Sequence, residues 1–252
     1  VAYDGSYMRT PVSTYKNQSL DNYLNAINYS RMWGGTPTGT AVVEAQKFFQ
    51  QSGFSSTATA APTVTKGSAA SDPYYDLVDG VTVAAPCRMS FIILVSDGEW
   101  NTGPDPLPTI YDMHFNDQRT ESDMTGHQTI TTYAIYAFGG VESDAGRNSM
   151  KAMAAYGGFL DRDRDTLPFD CPAASTASKT ITWPRPNCDP ANTWDARCIE
   201  WDTNHTGSPY NFYQADNGDA LATALANVVQ SISSQVSSGT AASVLGNNDN
   251  NG

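Results

Sequence analysis

The chain has 252 residues, enough for one large domain or two small ones with a real core. It carries a formal net charge of -12, with 26 acidic against 14 basic residues, which argues against a nucleic-acid partner and suits divalent cations. No apolar run approaches the length of a membrane span, and the first residue is Val1 with no signal peptide, as expected of a processed chain or a fragment.

Residues 1–17 read as two short strands around the turn pair Asp4-Gly5. A half-buried helix follows from Ser19, with Leu20, Tyr23, Leu24 and Ile27 on one face. The stretch GGTPTGTAVVEAQKFF leads into a second helix over about 39–52 that packs Val42, Ala45 and Phe49. Residues 53–86, rich in Ser, Thr, Ala, Gly and Pro, read as a surface excursion. The apolar run at 91–96, inside MSFIILVSDG, reads as a strand buried on both faces. Residues 99–127 are polar and read as irregular. A second buried strand spans 129–140, followed by a helix over 143–158 capped by Ser143 and closed by Gly157-Gly158. Residues 159–209 form a long insertion, 210–216 a short strand, and 217–236 a helix with Leu221, Leu225, Val228, Ile232 and Val236 on one face. The Gly/Ser/Asn-rich residues 237–252 read as a linker. Strands alternating with helices predict an α/β fold with a mainly parallel sheet, whose ligands bind at the carboxyl ends of the strands.

Gly34 to Gly39 has the glycine spacing of a phosphate loop, but Thr40 stands where that loop needs lysine, and no apolar strand precedes it. A hard dication instead wants oxygen ligands. A threonine hydroxyl at a loop-to-helix junction and an aspartate after a buried strand supply them, and Thr36 and Asp97 hold those positions. Neither signal is specific alone, since Gly-Thr-Pro and Asp-Gly are both common turns.

Two further segments have calcium-loop spacing. Asp161, Asp163 and Asp165 occupy positions 1, 3 and 5 of a loop, with Asp170 at position 10. Thr166 stands where glycine is usual and no glutamate holds position 12, and Arg162 and Arg164 can pair with the carboxylates instead. Asp202, Asn204 and Thr206 repeat the spacing more weakly, with Gly207 at position 6. Cys87, Cys171, Cys188 and Cys198 form no C-x-x-C pair and are disulfide candidates with three possible connectivities, or else buried free thiols. His114, His127 and His205 read as surface residues, and no hydrolase or zinc-protease signature appears, so no enzymatic activity is expected.

GGTPTGTAV, FIILVSDGEWN and TYAIYAFGG together resemble the von Willebrand factor type A domain. The resemblance implies a Rossmann-like, mainly parallel sheet flanked by helices, over 1–236, with insertions at about 53–86 and 159–209. It implies a metal-ion-dependent adhesion site with Thr36 and Asp97 as ligands of Mg²⁺ or Mn²⁺. The family's D-x-S-x-S loop is not found before Thr36, and VAYDG resembles the end of the second strand. On that reading the first strand and helix lie upstream, and a segment or partner chain supplies them. The aspartate loop, the EWD…G-x-P…NFYQAD run and the SSGTAASV tail narrow the resemblance to PilC/PilY-type type IV pilus assembly proteins and tip adhesins. This implies a periplasmic, cell-surface or pilus location and pilin, minor pilin or host-surface partners. Trp100, where a proline is common in that family, and the arginines of the aspartate loop depart from its pattern. The implied topology puts the insertion at the opposite pole from Thr36 and Asp97, beside Cys87, so a Cys87–Cys171 disulfide is expected.

Overall fold

The computed structural model describes residues 36–53, 65–69, 71–97, 100–139, 144–168, 181, 183, 185, 188–189, 193–194 and 196–248. The hairpin and helix expected before residue 31, the Ser143 cap, Asp170 and Cys171 lie outside these residues. The elements in chain order are α1 (Thr38–Gln50), β1 (Tyr75–Val78), β2 (Val81–Ala84), β3 (Ser90–Ser96), α2 (Leu107–Phe115), β4 (Ile130–Ala137), α3 (Asp144–Tyr156), β5 (Cys188–Asp189), β6 (Thr193–Trp194), a 3-10 helix (Ala196–Glu200), β7 (Phe212–Ala215) and α4 (Gly218–Asn248).

The fold is α/β, built on a parallel sheet of order β3-β4-β7 flanked by helices and compatible with a Rossmann-like architecture. β4 is the middle strand, with Ser90 opposite Ile130 on one side and Ala134 opposite Phe212 on the other. The alternation of a strand divides its side chains between two cores. Ile130, Ala134 and Tyr136 pack with Leu94, and with Val42 of α1, Leu107, Ile110 and Met113 of α2, and Met150 and Met153 of α3. Tyr133 and Ile135 face the other way, onto Ala215, Ala224 and Val228, so α4 covers the second face. Each of these fully buried aliphatic side chains contributes about 1.5–3 kcal/mol. Apolar residues in continuous runs, rather than alternating with polar ones, are therefore needed in β3 and β4.

Several expectations are corrected. Residues 99–127 hold the helix α2, which prolines at 106 and 108 disguise. Proline fits the first turn of a helix, where its missing N–H costs nothing, and the Asp105 carboxylate accepts the Leu107 N–H at 2.9 Å. The stretch 53–86 is not all surface: Ser71, Asp72 and Tyr74 are buried, and the Asp72 carboxylate receives both ends of the Arg119 guanidinium at 2.8 and 2.9 Å. The buried stripe of α4 runs through Leu221, Ala224, Val228 and Ile232, leaving Leu225 and Val236 exposed. The helix continues to Asn248 where a linker was expected from 237. Gly157 closes α3 through close approach, not through left-handed backbone. A Cβ there would press on Thr132, Ile110 and the Met153 carbonyl. Among the described residues no helix is long and apolar enough to cross a membrane.

Candidate functional site

At the carboxyl pole of the sheet, the loop entering α1 is clasped to the loop leaving β3. The Thr36 N–H donates to the Asn101 side-chain oxygen at 2.7 Å, and the Asn101 N–H returns a bond to the Thr36 carbonyl at 3.2 Å. Gly39 lets the first turn of α1 lie against this loop, since a Cβ there would collide with the Pro104 carbonyl. Thr38, just inside the helix, is buried. The clasp places Thr36, half-buried, on the same loop system as Asp97, which is exposed and accepts a long bond of 3.4 Å from the Ser96 hydroxyl. Asn101 escaped the sequence reading because nothing in its spacing marks it. Its position just past a buried strand ending in Asp-Gly was the available signal. Among the described residues no third acidic, histidine or cysteine side chain joins Asp97 here in a metal-holding group.

The opposite pole carries the acidic loop. The Gly157 carbonyl accepts from Thr132 N–H at 2.7 Å, so α3 returns the chain to the amino end of β4. The Asn211 amide locks the turn by donating to the Thr132 and Ala154 carbonyls at 2.5 and 2.8 Å. Tyr210 donates its hydroxyl to the Gly158 carbonyl, and burial pushes its phenol up to about 12, so it stays a donor. From Phe159 the chain turns into Asp161, Asp163 and Asp165, whose carboxylates each offer an oxygen within 4.8 Å of the others. Backbone donors shape the loop. Thr166 N–H reaches Asp161 at 3.3 Å, Asp165 N–H reaches Asp163 at 3.0 Å, and Leu167 N–H reaches Asp165 at 2.7 Å. Arg164 and Thr166 adopt left-handed backbone, with φ of 67° and 71°.

Glu200, not singled out from the sequence, sits under this loop. One of its oxygens accepts the Arg162 and Asp163 N–H groups at 2.6 and 3.1 Å. Its pKa is raised, by burial first and also by the Asp163 and Asp165 charges, against the lowering effect of those two N–H bonds. Among the described residues neither Arg162 nor Arg164 pairs with the three carboxylates, contrary to the alternative their spacing allowed. Three carboxylates within reach of one another could hold a metal ion, and a dication such as Ca²⁺ would need further oxygens to complete its shell.

The second candidate loop is built differently. Asp202 is fully buried, and its oxygens accept the Thr206 N–H at 2.9 Å, the Thr206 hydroxyl at 3.1 Å and the Gly207 N–H at 2.5 Å. Asn204 is exposed. The carboxylate closes its own turn, with the Thr206 and Gly207 donors on its oxygens and Asn204 turned to the surface. Cys87 is a free, exposed thiol, so the expected tie from Cys87 to Cys171 is not made. Cys198 is buried and disulfide-bonded.

Compared with known proteins, the chain matches no family model, no curated protein and no solved structure.

Proposed function

We propose that this chain is a von Willebrand factor A-type binding module of a PilC/PilY-type, pilus-associated protein, acting as an adhesion or assembly surface and not as an enzyme. The observation that carries this reading is the Thr36–Asn101 clasp. It sets a threonine beside the loop bearing Asp97 at the carboxyl ends of a parallel sheet, the pole where such folds receive ligands. On this reading Thr36 and Asp97 hold Mg²⁺ or Mn²⁺ and present it to a carboxylate of a pilin, a minor pilin or a host surface. The 161–165 loop takes Ca²⁺ at the other pole and stiffens the insertion. The disulfide at Cys198 supports a periplasmic or extracellular setting.

A second reading is a scaffold without an adhesion-type metal. It is favoured by the small donor set at the first pole, where the Asn101 side-chain oxygen is already taken by Thr36 N–H. Surface plasmon resonance of the purified chain over immobilised type IV pilin, with Mg²⁺, Mn²⁺ or chelator, separates the two. The adhesion reading expects binding that needs metal and is lost in Thr36→Ala and Asp97→Ala while circular dichroism is unchanged. Metal-independent binding that survives both substitutions would establish the scaffold.

A further inference from the structure

His114, expected at the surface, lies in a stack of aromatic rings at the root of the acidic loop. Tyr111 and Phe115 stack at 5.5 Å between ring centroids, and Phe159 lies nearly parallel to both at 6.4 and 6.5 Å. The His114 ring tilts against Phe159 at 5.2 Å, and its Nε2 is 2.8 Å from the Phe159 carbonyl. A carbonyl only accepts, so Nε2 carries the proton and donates. Nδ1 is then a bare lone pair, and it is buried with no partner.

A neutral ring satisfies this geometry. Protonation places a second N–H at Nδ1 with no acceptor, on a cation shut off from water. Among the described residues no anion pairs with it. On its own helix, Asp112 is engaged by Gln46 and Asn116, and the Tyr111 hydroxyl donates to the Thr166 carbonyl. On the facing loop, Asp161 takes Thr166 N–H and Asp163 takes Asp165 N–H, while Asp165 takes Leu167 N–H. From the 3-10 helix, Glu200 takes the Arg162 and Asp163 N–H groups, and from α3 the Tyr156 ring packs edge-on against Tyr111. Among the described residues none of these carboxylates forms an ion pair with His114.

We infer that His114 is an acid-sensitive latch: while neutral it holds Phe159 and the loop that follows, and on protonation it releases them. Burial lowers its pKa from the ordinary value, more than the Phe159 carbonyl raises it. The unfolded or released chain therefore takes the proton first. The latch is fully engaged above the free histidine value of about 6.5 and loses strength as pH falls below it. Glu200, whose pKa is raised, also holds this loop through the Arg162 and Asp163 N–H groups, so His114→Gln is the variant that assigns the release to the imidazole. The inference does not rest on metal binding, and its test runs in chelator, so it stands or falls apart from the function proposed above.

The experiment is amide hydrogen exchange of the whole chain between about pH 7.5 and about pH 5.5, corrected for intrinsic rates. Amides of 160–167 are expected to lose protection about tenfold, while those of β4 do not change. His114→Gln, whose side-chain N–H can reach the same carbonyl and cannot be charged, is expected to flatten this dependence. In the wild-type chain, NMR titration is expected to place His114 below the free histidine value of about 6.5. Unchanged loop protection, the same pH dependence in His114→Gln, or a His114 titration at or above that free value would each overturn the latch.

Discussion

The molecule uses aspartate in two opposite ways. Asp72 and Asp202 are buried, and protein donors occupy their oxygens. Asp161, Asp163 and Asp165 stand half-buried to exposed, with oxygens turned toward one another. Both kinds sit in polar loops with similar local sequence. The difference lies in what faces the carboxylate. A buried one must find donors or lose its charge, whereas one at the surface can remain close to like charges because water screens them. A carboxylate of the first kind has both oxygens taken by buried donors, whereas each of the second kind takes one backbone N–H within its own loop.

Asp72 should give the largest effect. Burial alone would raise its pKa, but the Arg119 side chain and the Gly67 and Tyr74 N–H groups outweigh it and hold the carboxyl below its ordinary value. Asp72→Ala takes the bidentate partner from the buried Arg119 guanidinium and leaves it only Glu121, at 3.0 Å, among the described carboxylates, so about 3–5 kcal/mol of stability should be lost in urea denaturation. A depressed carboxylate pKa also means that its contribution is present above the free aspartate value of about 3.9 and fades as pH falls through the folded value. A loss under about 1 kcal/mol would place Asp72 with the open carboxylates and break the comparison.

Asp202→Ala comes next, at about 2–4 kcal/mol, because the Thr206 and Gly207 donors are left in a closed turn. Calcium should not change this loss. If calcium stabilised the wild-type chain and Asp202→Ala abolished that gain while Asp163→Asn did not, the two loops would have to exchange roles. For the open set the expectation is the reverse. Asp163→Asn should barely alter stability in chelator. In the wild type, free Ca²⁺ at about 100 times its Kd should add about 2.7 kcal/mol, read by calorimetry, and the substitution should remove most of it.

The sheet was legible because its chemistry is local. β3, expected to be buried on both faces, leaves Ile93 exposed and Phe91, Ile92 and Val95 half-buried, whereas β4 is buried along nearly its whole length, and β3, β4 and β7 are all legible in position. α2 was not, because Pro106 and Pro108 read as breakers until their place in the first turn is known. Nor could spacing separate the two aspartate loops. Asp161-x-Asp163-x-Asp165 and Asp202-x-Asn204-x-Thr206 differ in burial, and that depends on a cluster in which Phe159, Cys198 and Trp201 meet Tyr111 and Phe115 from a distant part of the chain. The same limit hid Asn101, Glu200 and the buried Nδ1 of His114, whose roles depend on groups more than thirty residues away.

The smallest effect tests the other pole. Asn101→Ala removes a neutral clasp that is partly open to water, so about 1 kcal/mol is expected in denaturation. Its consequence for binding should be larger than its consequence for stability. The fixed geometry of the Thr36 loop depends on this side chain, and a site displaced by about 1 Å loses much of its complementarity. Asn101→Asp keeps the acceptor for Thr36 N–H and adds a negative charge beside Asp97. If Thr36 and Asp97 hold a dication, Asn101→Asp should keep or tighten metal-dependent binding while Asn101→Ala weakens it. If the pole is a scaffold, the two variants should bind alike, and the comparison between structural and open carboxylates would then apply at the insertion pole alone.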